Sequence, residues 1–379
     1  MRRAALAACA ALCCALALAG CASSRRPKPV DLPANPAQLG VQQGWHAALG
    51  EVDFPLQPRV LGQRVLLASG KGEVLALDAA TGRELARAAV GEALTAGVGS
   101  DGTVDAVVTR SNHVVALEGG QELWRWLLPT QSYTPPLVAG GRVFVLGADR
   151  SLTALDARTG DLLWTLQRTA EPLVLRQSGV LLAVGNTLVA GLAGRMAGIN
   201  PDTGDVLWEA PIASARGTND VERLVDLTGP AWRQASVVCA RAFQTALGCV
   251  DAASGQVLWT HAANGAGGIS GDGERLFGTE SDGRVMAWRA GTGERLWTAE
   301  HLKWRYLSAP LATGGAVALG DSEGNVLLLS PDDGRLLERL RVDKSGLATA
   351  PVAAGDTLIV VTRKGGVWGL RAGQGTARP

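Results

Sequence analysis

Cysteine and histidine are the residues of this chain best equipped for chemistry, and their spacing argues against turnover. The 379-residue sequence holds six cysteines and four histidines. His46, His113, His261 and His301 are scattered, with no paired interval of the kind a metal site uses. Cys9, Cys13 and Cys14 lie in an apolar leader that ends at Cys21. That leaves Cys239 and Cys249, on the two arms of an expected hairpin. Aligned on an earlier hairpin they fall at Leu66 and Ala76, which would face each other across the strands. In an oxidising compartment a cross-strand disulfide suits that geometry, and two buried small apolar residues suit it equally. Glycine-rich strings such as Gly265-Ala266-Gly267-Gly268 precede strand-like segments, so they read as turns and not as phosphate cradles.

The leader sets the compartment. Arg2 and Arg3 precede an apolar run over residues 4–18, too short to span a membrane as a mature helix, so residues 1–20 read as a signal peptide. It ends in Leu18-Ala19-Gly20-Cys21, which resembles the bacterial lipobox. There, small residues admit a peptidase to the bond before a lipid-bearing cysteine. Cys21 is therefore the expected lipidation site, and acyl chains supply the membrane anchor. Ala22 rather than Asp follows Cys21, which by analogy favours the outer membrane, with the protein on its periplasmic face. The chain carries 36 basic and 35 acidic residues, and that balance speaks against a nucleic-acid partner.

What must position any functional residue is a repeat. Its clearest copy is LDARTGDLLW at residues 155–164: a strand end, Asp, a Thr-Gly turn, then apolar residues closing on Trp. The turn glycines fall at Gly82, Gly120, Gly160, Gly204, Gly255, Gly293, Gly334 and, degenerately, Gly375. Successive gaps are 38, 40, 44, 51, 38, 41 and 41 residues. A period near ~40 with several short strands per unit marks propeller blades. Runs such as Val65–Ser69 and Val74–Leu77 around Gly70-Lys71-Gly72 read as buried strands and their turn. Asp78, Asp156 and Asp251 have a sufficient role as turn caps. The recurring Trp124, Trp164, Trp208, Trp259 and Trp297 can fill the wedge between blades, with Ala86 and Glu338 as exceptions.

The last unit lacks its Trp strand, while the chain opens on one at Trp45-His46-Ala47-Ala48. The expected fold is all-β, an eight-bladed β-propeller of four-stranded antiparallel blades, closed by pairing the Trp45 strand into the last blade. It occupies residues 45–372, after a Pro- and Arg-rich tether at 21–44 and before a disordered tail at 373–379. Two segments break the rhythm: Leu173-Val174-Leu175-Arg176, and an insertion between Ala213 and Gly229 that includes Glu222, Arg223 and Asp226. In repeat arrays such irregularities map to loops on one rim, where partners bind.

Eight-bladed propellers with a Trp-bearing repeat resemble the quinoprotein alcohol dehydrogenases. That resemblance implies a calcium site, a catalytic Asp and a disulfide between adjacent cysteines. Here the only adjacent pair, Cys13-Cys14, lies in the leader, and no haem-attachment Cys-x-x-Cys-His exists. No cofactor, metal or catalytic residue is expected.

A lipoprotein that is one such propeller resembles the BamB family of the outer-membrane β-barrel assembly machinery. The strings carrying the likeness are Ser308-Ala309-Pro310-Leu311, Gly320-Asp321-Ser322-Glu323-Gly324, Val342-Asp343-Lys344-Ser345-Gly346 and Pro351-Val352-Ala353. The resemblance implies a non-catalytic scaffold that docks on the periplasmic POTRA domains of BamA, within the BAM complex, and aids insertion of unfolded outer-membrane proteins. The family's apolar-x-Leu-Arg motif matches Leu173-Val174-Leu175-Arg176. Its acidic Asp-Arg-Leu-x-Asp-x-Asp segment matches Glu222-Arg223-Leu224-Val225-Asp226-Leu227-Thr228, with Glu222 for the first Asp and Thr228 for a further one. Leu173 and Leu175 would then be exposed anchors and Arg176 a charged hydrogen-bond donor. The competing reading makes both leucines inter-blade core and Arg176 a solvated rim charge. A ligand-binding or quinoprotein-like propeller of the periplasm is the alternative function, with Trp232 and Trp304 as candidate aromatics at one mouth of the axis.

Overall fold

The computed structural model describes residues 27–168, 173–215, 219 and 223–373. They form eight four-stranded antiparallel sheets arranged in a ring, an eight-bladed β-propeller, with no helix among the described residues. Blades 1 to 7 span residues 59–89, 94–127, 137–166, 181–211, 227–262, 269–299 and 311–341 in unbroken strand order.

Burial explains the sequence pattern. The two middle strands of a blade are covered on both faces by neighbouring blades, so they read as continuous apolar runs. Arg64–Ala68 and Glu73–Asp78 of blade 1 are buried throughout except at their ends. The outermost strand has one solvated edge, and Glu84–Ala89 is largely exposed.

Each repeat tryptophan locks one blade to the next. Trp124 Nε1 donates to the Ala157 carbonyl (2.9 Å), Trp164 to Pro201 (3.0 Å), Trp208 to Ala252 (3.1 Å), Trp259 to Ala290 (2.9 Å) and Trp297 to Pro331 (2.9 Å). The acceptor follows the residue that opens the next blade's turn, a side-chain cap at Asp156, Asn200, Asp251 and Ser330, and Arg289 in blade 6. Those caps are direct: Asp156 accepts from the amides of Arg158 (2.8 Å) and Thr159 (2.9 Å), and these bonds hold its carboxyl below the ordinary range. Thr81, bonded through its hydroxyl and amide, does the same to Asp78.

Blade 8 takes residues 352–372 and adds Val41–Ala48 as its outermost strand, antiparallel to Gly366–Ala372. Trp45 in that strand faces Gly369 and donates to the Ala79 carbonyl of blade 1 at 2.9 Å, the same bond the other tryptophans make. The strand begins four residues before the expected boundary. The stretch read as tether is also partly engaged. Gln38 N donates to Leu337 O (3.1 Å) and Val30 N to Lys303 O (3.0 Å), so residues 30–39 lie against blades 6 and 7. Leu32 and Leu39 supply the reason, because Leu32 packs against an apolar cluster of blades 6 and 7 and Leu39 against one of blades 7 and 8.

Cys239 and Cys249 are register partners on adjacent strands of blade 5 and are joined as a disulfide. The bridge is fully buried between blades 5 and 6, beside Trp232 and Trp259.

Candidate docking face

Strand order dictates which loops share a face. In each blade the turn between the second and third strands, and the connection from the outermost strand to the next blade's innermost one, open at the same end. Leu173–Arg176 lies in the connection from blade 3 to blade 4, and residues 223–226 in that from blade 4 to blade 5. Arg150 lies in the second-to-third-strand turn of blade 3. All three therefore emerge on one face.

Arg150 and Asp226 bring the two irregular segments together. The Arg150 guanidinium donates to Asp226 Oδ1 (Nη2, 3.0 Å; Nε, 3.3 Å) and to the Leu173 carbonyl (3.4 Å). Asp226 Oδ2 accepts the amide of Leu175 at 3.2 Å. Both carboxylate oxygens of Asp226 thus accept bonds within the chain. Within the chain it fixes the Leu173–Arg176 backbone.

Around that clamp the side chains sort clearly. Leu173 is 40% exposed and Arg176 is exposed, while Leu175 is half-buried over a hollow formed with Tyr133, Thr134 and Leu146. Neither leucine belongs to an inter-blade core cluster. The Arg176 guanidinium carbon stands 5.9 Å from the centre of the Tyr133 ring, within cation–π range. Tyr133, Gln131, Arg176 and the half-exposed Asp53–Arg110 pair (3.1 Å) line a second, polar hollow alongside. Arg223 is exposed, and its amide donates to Asn219 O (3.2 Å). Cys21 and Glu222 lie outside the described residues.

Two features of this face escaped the sequence reading. Tyr133 sits in an ordinary connection, and nothing in its spacing marks it. Arg150 does carry a signal. Second-to-third-strand turns need a left-handed residue, which is Gly72, Gly283, Gly324 or Gly365 in blades 1, 6, 7 and 8. Blades 2 to 5 place Asn112, Arg150, Ala193 and Gln244 there, with φ of 68°, 64°, 57° and 49°. Non-glycine residues in that conformation are costly and persist where something else holds them.

Among the described residues, the other motifs of the sequence fall in turns, strands and packing contacts. The string Gly320-Asp321-Ser322-Glu323-Gly324 has the Gly-x-Ser-x-Gly spacing of a nucleophile elbow. The structure makes it a hairpin turn between two strands, with Asp321 bonded to Arg305 (2.9 Å). At the hub, the inner strands approach backbone to backbone. A Cβ on Gly268 would collide with the backbone of Pro230, and Gln57, just before blade 1, donates to Ser178, just before blade 4, at 2.6 Å. Among the described residues no group of three His, Cys, Asp or Glu side chains is placed to hold a metal. Trp232 packs at the disulfide, whereas Trp304 lies in the connection after blade 6, its amide on Asp282 O.

Comparison with known proteins decides the family. A family model described as outer membrane protein assembly factor BamB matches residues 70–299 and 290–378. The chain belongs to the BamB family. The BamB of Burkholderia pseudomallei is 38% identical over 376 residues, covering 98% of each chain, and that of Bordetella pertussis is 33% identical, covering 94% of this chain and 95% of its own. The crystal structure of BamB from Moraxella catarrhalis superposes with a TM-score of 0.80 at 25% identity, covering 87% of this chain and 99% of that one. A quinohemoprotein alcohol dehydrogenase from Comamonas testosteroni shares the fold alone, at 14% identity and a TM-score of 0.68 over 92% of this chain and 79% of its own.

Proposed function

We propose that this BamB-family protein is a non-catalytic, lipid-anchored subunit of the outer-membrane β-barrel assembly machinery that docks on the periplasmic POTRA domains of BamA. Cys21 carries the acyl chains on the periplasmic face of the outer membrane, and Leu173, Leu175 and Arg176 make the contact. The observation that carries the docking role is the Arg150–Asp226 clamp, which holds an exposed leucine and the exposed Arg176 guanidinium side by side on a pinned backbone. Interface anchors are strongest when apolar and arginine side chains are held in place before binding, because less freedom is lost on association. Names borne by relatives such as the Burkholderia protein support the assembly role.

The test is co-purification from detergent-solubilised envelopes. Arg176→Glu should lose BamA while the melting temperature stays within about 1 °C, since an exposed charge change is worth little to folding. Full retention of BamA by that variant would contradict the docking role. Cys21→Ser should move the protein to the soluble periplasmic fraction.

A further inference from the structure

The outer edges of the blades carry one repeating feature that docking on BamA does not use. The residue before the tryptophan position is leucine in seven blades: Leu85, Leu123, Leu163, Leu207, Leu258, Leu296 and Leu337. In blades 1 to 5 it is exposed, at 38–54%. Each lies on the last strand of its sheet, whose free edge faces away from the ring. Sheet edges are normally blunted with charge or proline, so leucine on five successive edges runs against the usual protection.

Blade 7 shows what such an edge holds. There Leu337 is only 7% exposed, and the covering group is the chain's own segment 30–39. Gln38 N donates to Leu337 O, and Leu39 packs in the apolar cluster that contains Leu337. Two residues along, Asn35 uses its side-chain amide in place of backbone. Its Oδ1 accepts from Arg339 N (2.8 Å) and its Nδ2 donates to Arg339 O (3.0 Å). Pro33 and Pro36 flank Asn35 and have no N–H, so this segment cannot continue a ladder along the edge. Glu338, standing where other blades have tryptophan, accepts the amide of Leu39 at 3.0 Å.

We infer that the free outer edges of blades 1 to 5 bind extended polypeptide segments of alternating apolar and polar residues by strand addition, in the manner of segment 30–39 on blade 7. Backbone hydrogen bonds to the edge give affinity without sequence preference, and the exposed leucine selects an apolar side chain at one position. A segment without proline would complete the ladder that Asn35 only imitates. The inference deepens the assembly-factor reading by locating the unfolded client, and its test does not involve BamA.

The full mature protein in detergent is titrated into a fluorescein-labelled twelve-residue peptide alternating valine or leucine with threonine. Binding should weaken at least tenfold in the triple variant Leu123→Asp, Leu163→Asp, Leu207→Asp, and a peptide of residues 28–40 should compete. The milder triple Leu→Thr variant, which keeps β propensity, should weaken binding severalfold with an unchanged melting temperature. Arg176→Glu should bind the peptide normally. Affinity unchanged within twofold in both triple variants would overturn the inference. So would light scattering showing that these leucines join two copies of the chain and that the peptide binds only by displacing that contact.

Discussion

Asp226 accepts the amide of Leu175 with one oxygen and the guanidinium of Arg150 with the other, so a single carboxylate ties three loops of one face. Both partners of this ion pair are mostly buried. Removing one leaves the other desolvated, whereas removing Arg176 leaves nothing stranded. Asp226→Ala should therefore cost about 1–3 kcal/mol in a urea titration and also weaken BamA binding. Asp226→Ala combined with Arg150→Met should recover part of the stability but not the binding, because the Leu175 amide still lacks its acceptor.

The tryptophan slots predict a contrast between two turn glycines. A Cβ on Gly82 would lie 2.5 Å from the Trp45 ring, while Gly120 faces the blade whose tryptophan position is Ala86 and has nothing nearer than 3.7 Å. Both are left-handed, at φ 70° and 85°. Gly120→Ala should cost only the backbone strain, about 1–2 kcal/mol. Gly82→Ala adds the collision and should cost roughly 3–5 kcal/mol, while displacing the strand that completes blade 8. Equal melting temperatures for the two variants would contradict the packing described.

The Cys239–Cys249 bridge closes a short loop in the middle of a blade. Chain-entropy reasoning gives it about 2–3 kcal/mol. The double variant Cys239→Ala, Cys249→Ala should shift the urea midpoint by that amount and leave BamA co-purification intact. Because the sulfurs are fully buried, dithiothreitol should reduce the bridge only at the rate of blade opening, read by thiol labelling.

His301 gives a pH dependence with a definite sign. Burial lowers its pKa below the ordinary 6.5, and its Nε2 is buried without a hydrogen-bond partner among the described residues. The unfolded chain then takes up the proton more readily than the folded one, so stability declines as pH falls below about 6.5. His301→Gln should reduce the loss between pH 7.5 and pH 5.5 relative to the parent. An identical slope in both proteins would place His301 in a solvated setting.

Much of the fold was legible because a propeller repeats its reasons. Asp caps, left-handed glycines and tryptophan donors recur at fixed intervals, so each copy supports the others. The candidate face was legible only as irregularity: Leu173–Arg176 and the segment around Asp226 stand out by breaking the period. What joins them was hidden. Arg150 is distant from both in sequence, and its local clue, a bulky residue in a left-handed turn, shows only once φ is known. Segment 30–39 reads as tether in the sequence because its prolines and polar residues lack periodicity. Its order comes from Leu32, Leu39 and Asn35 meeting blades 6 to 8, contacts that span some 300 positions. The two leucines of the docking motif could be read as core or as anchors, and only their position outside every inter-blade cluster separates the readings.

The central claim is that the Leu173–Arg176 loop touches BamA, and a photo-crosslinking amino acid at Leu173 in intact envelopes tests it most directly. The account predicts one dominant adduct, containing a BamA POTRA domain and lost in the Arg176→Glu background. Adducts with other proteins only, or no BamA adduct from a folded and correctly localised protein, would contradict it.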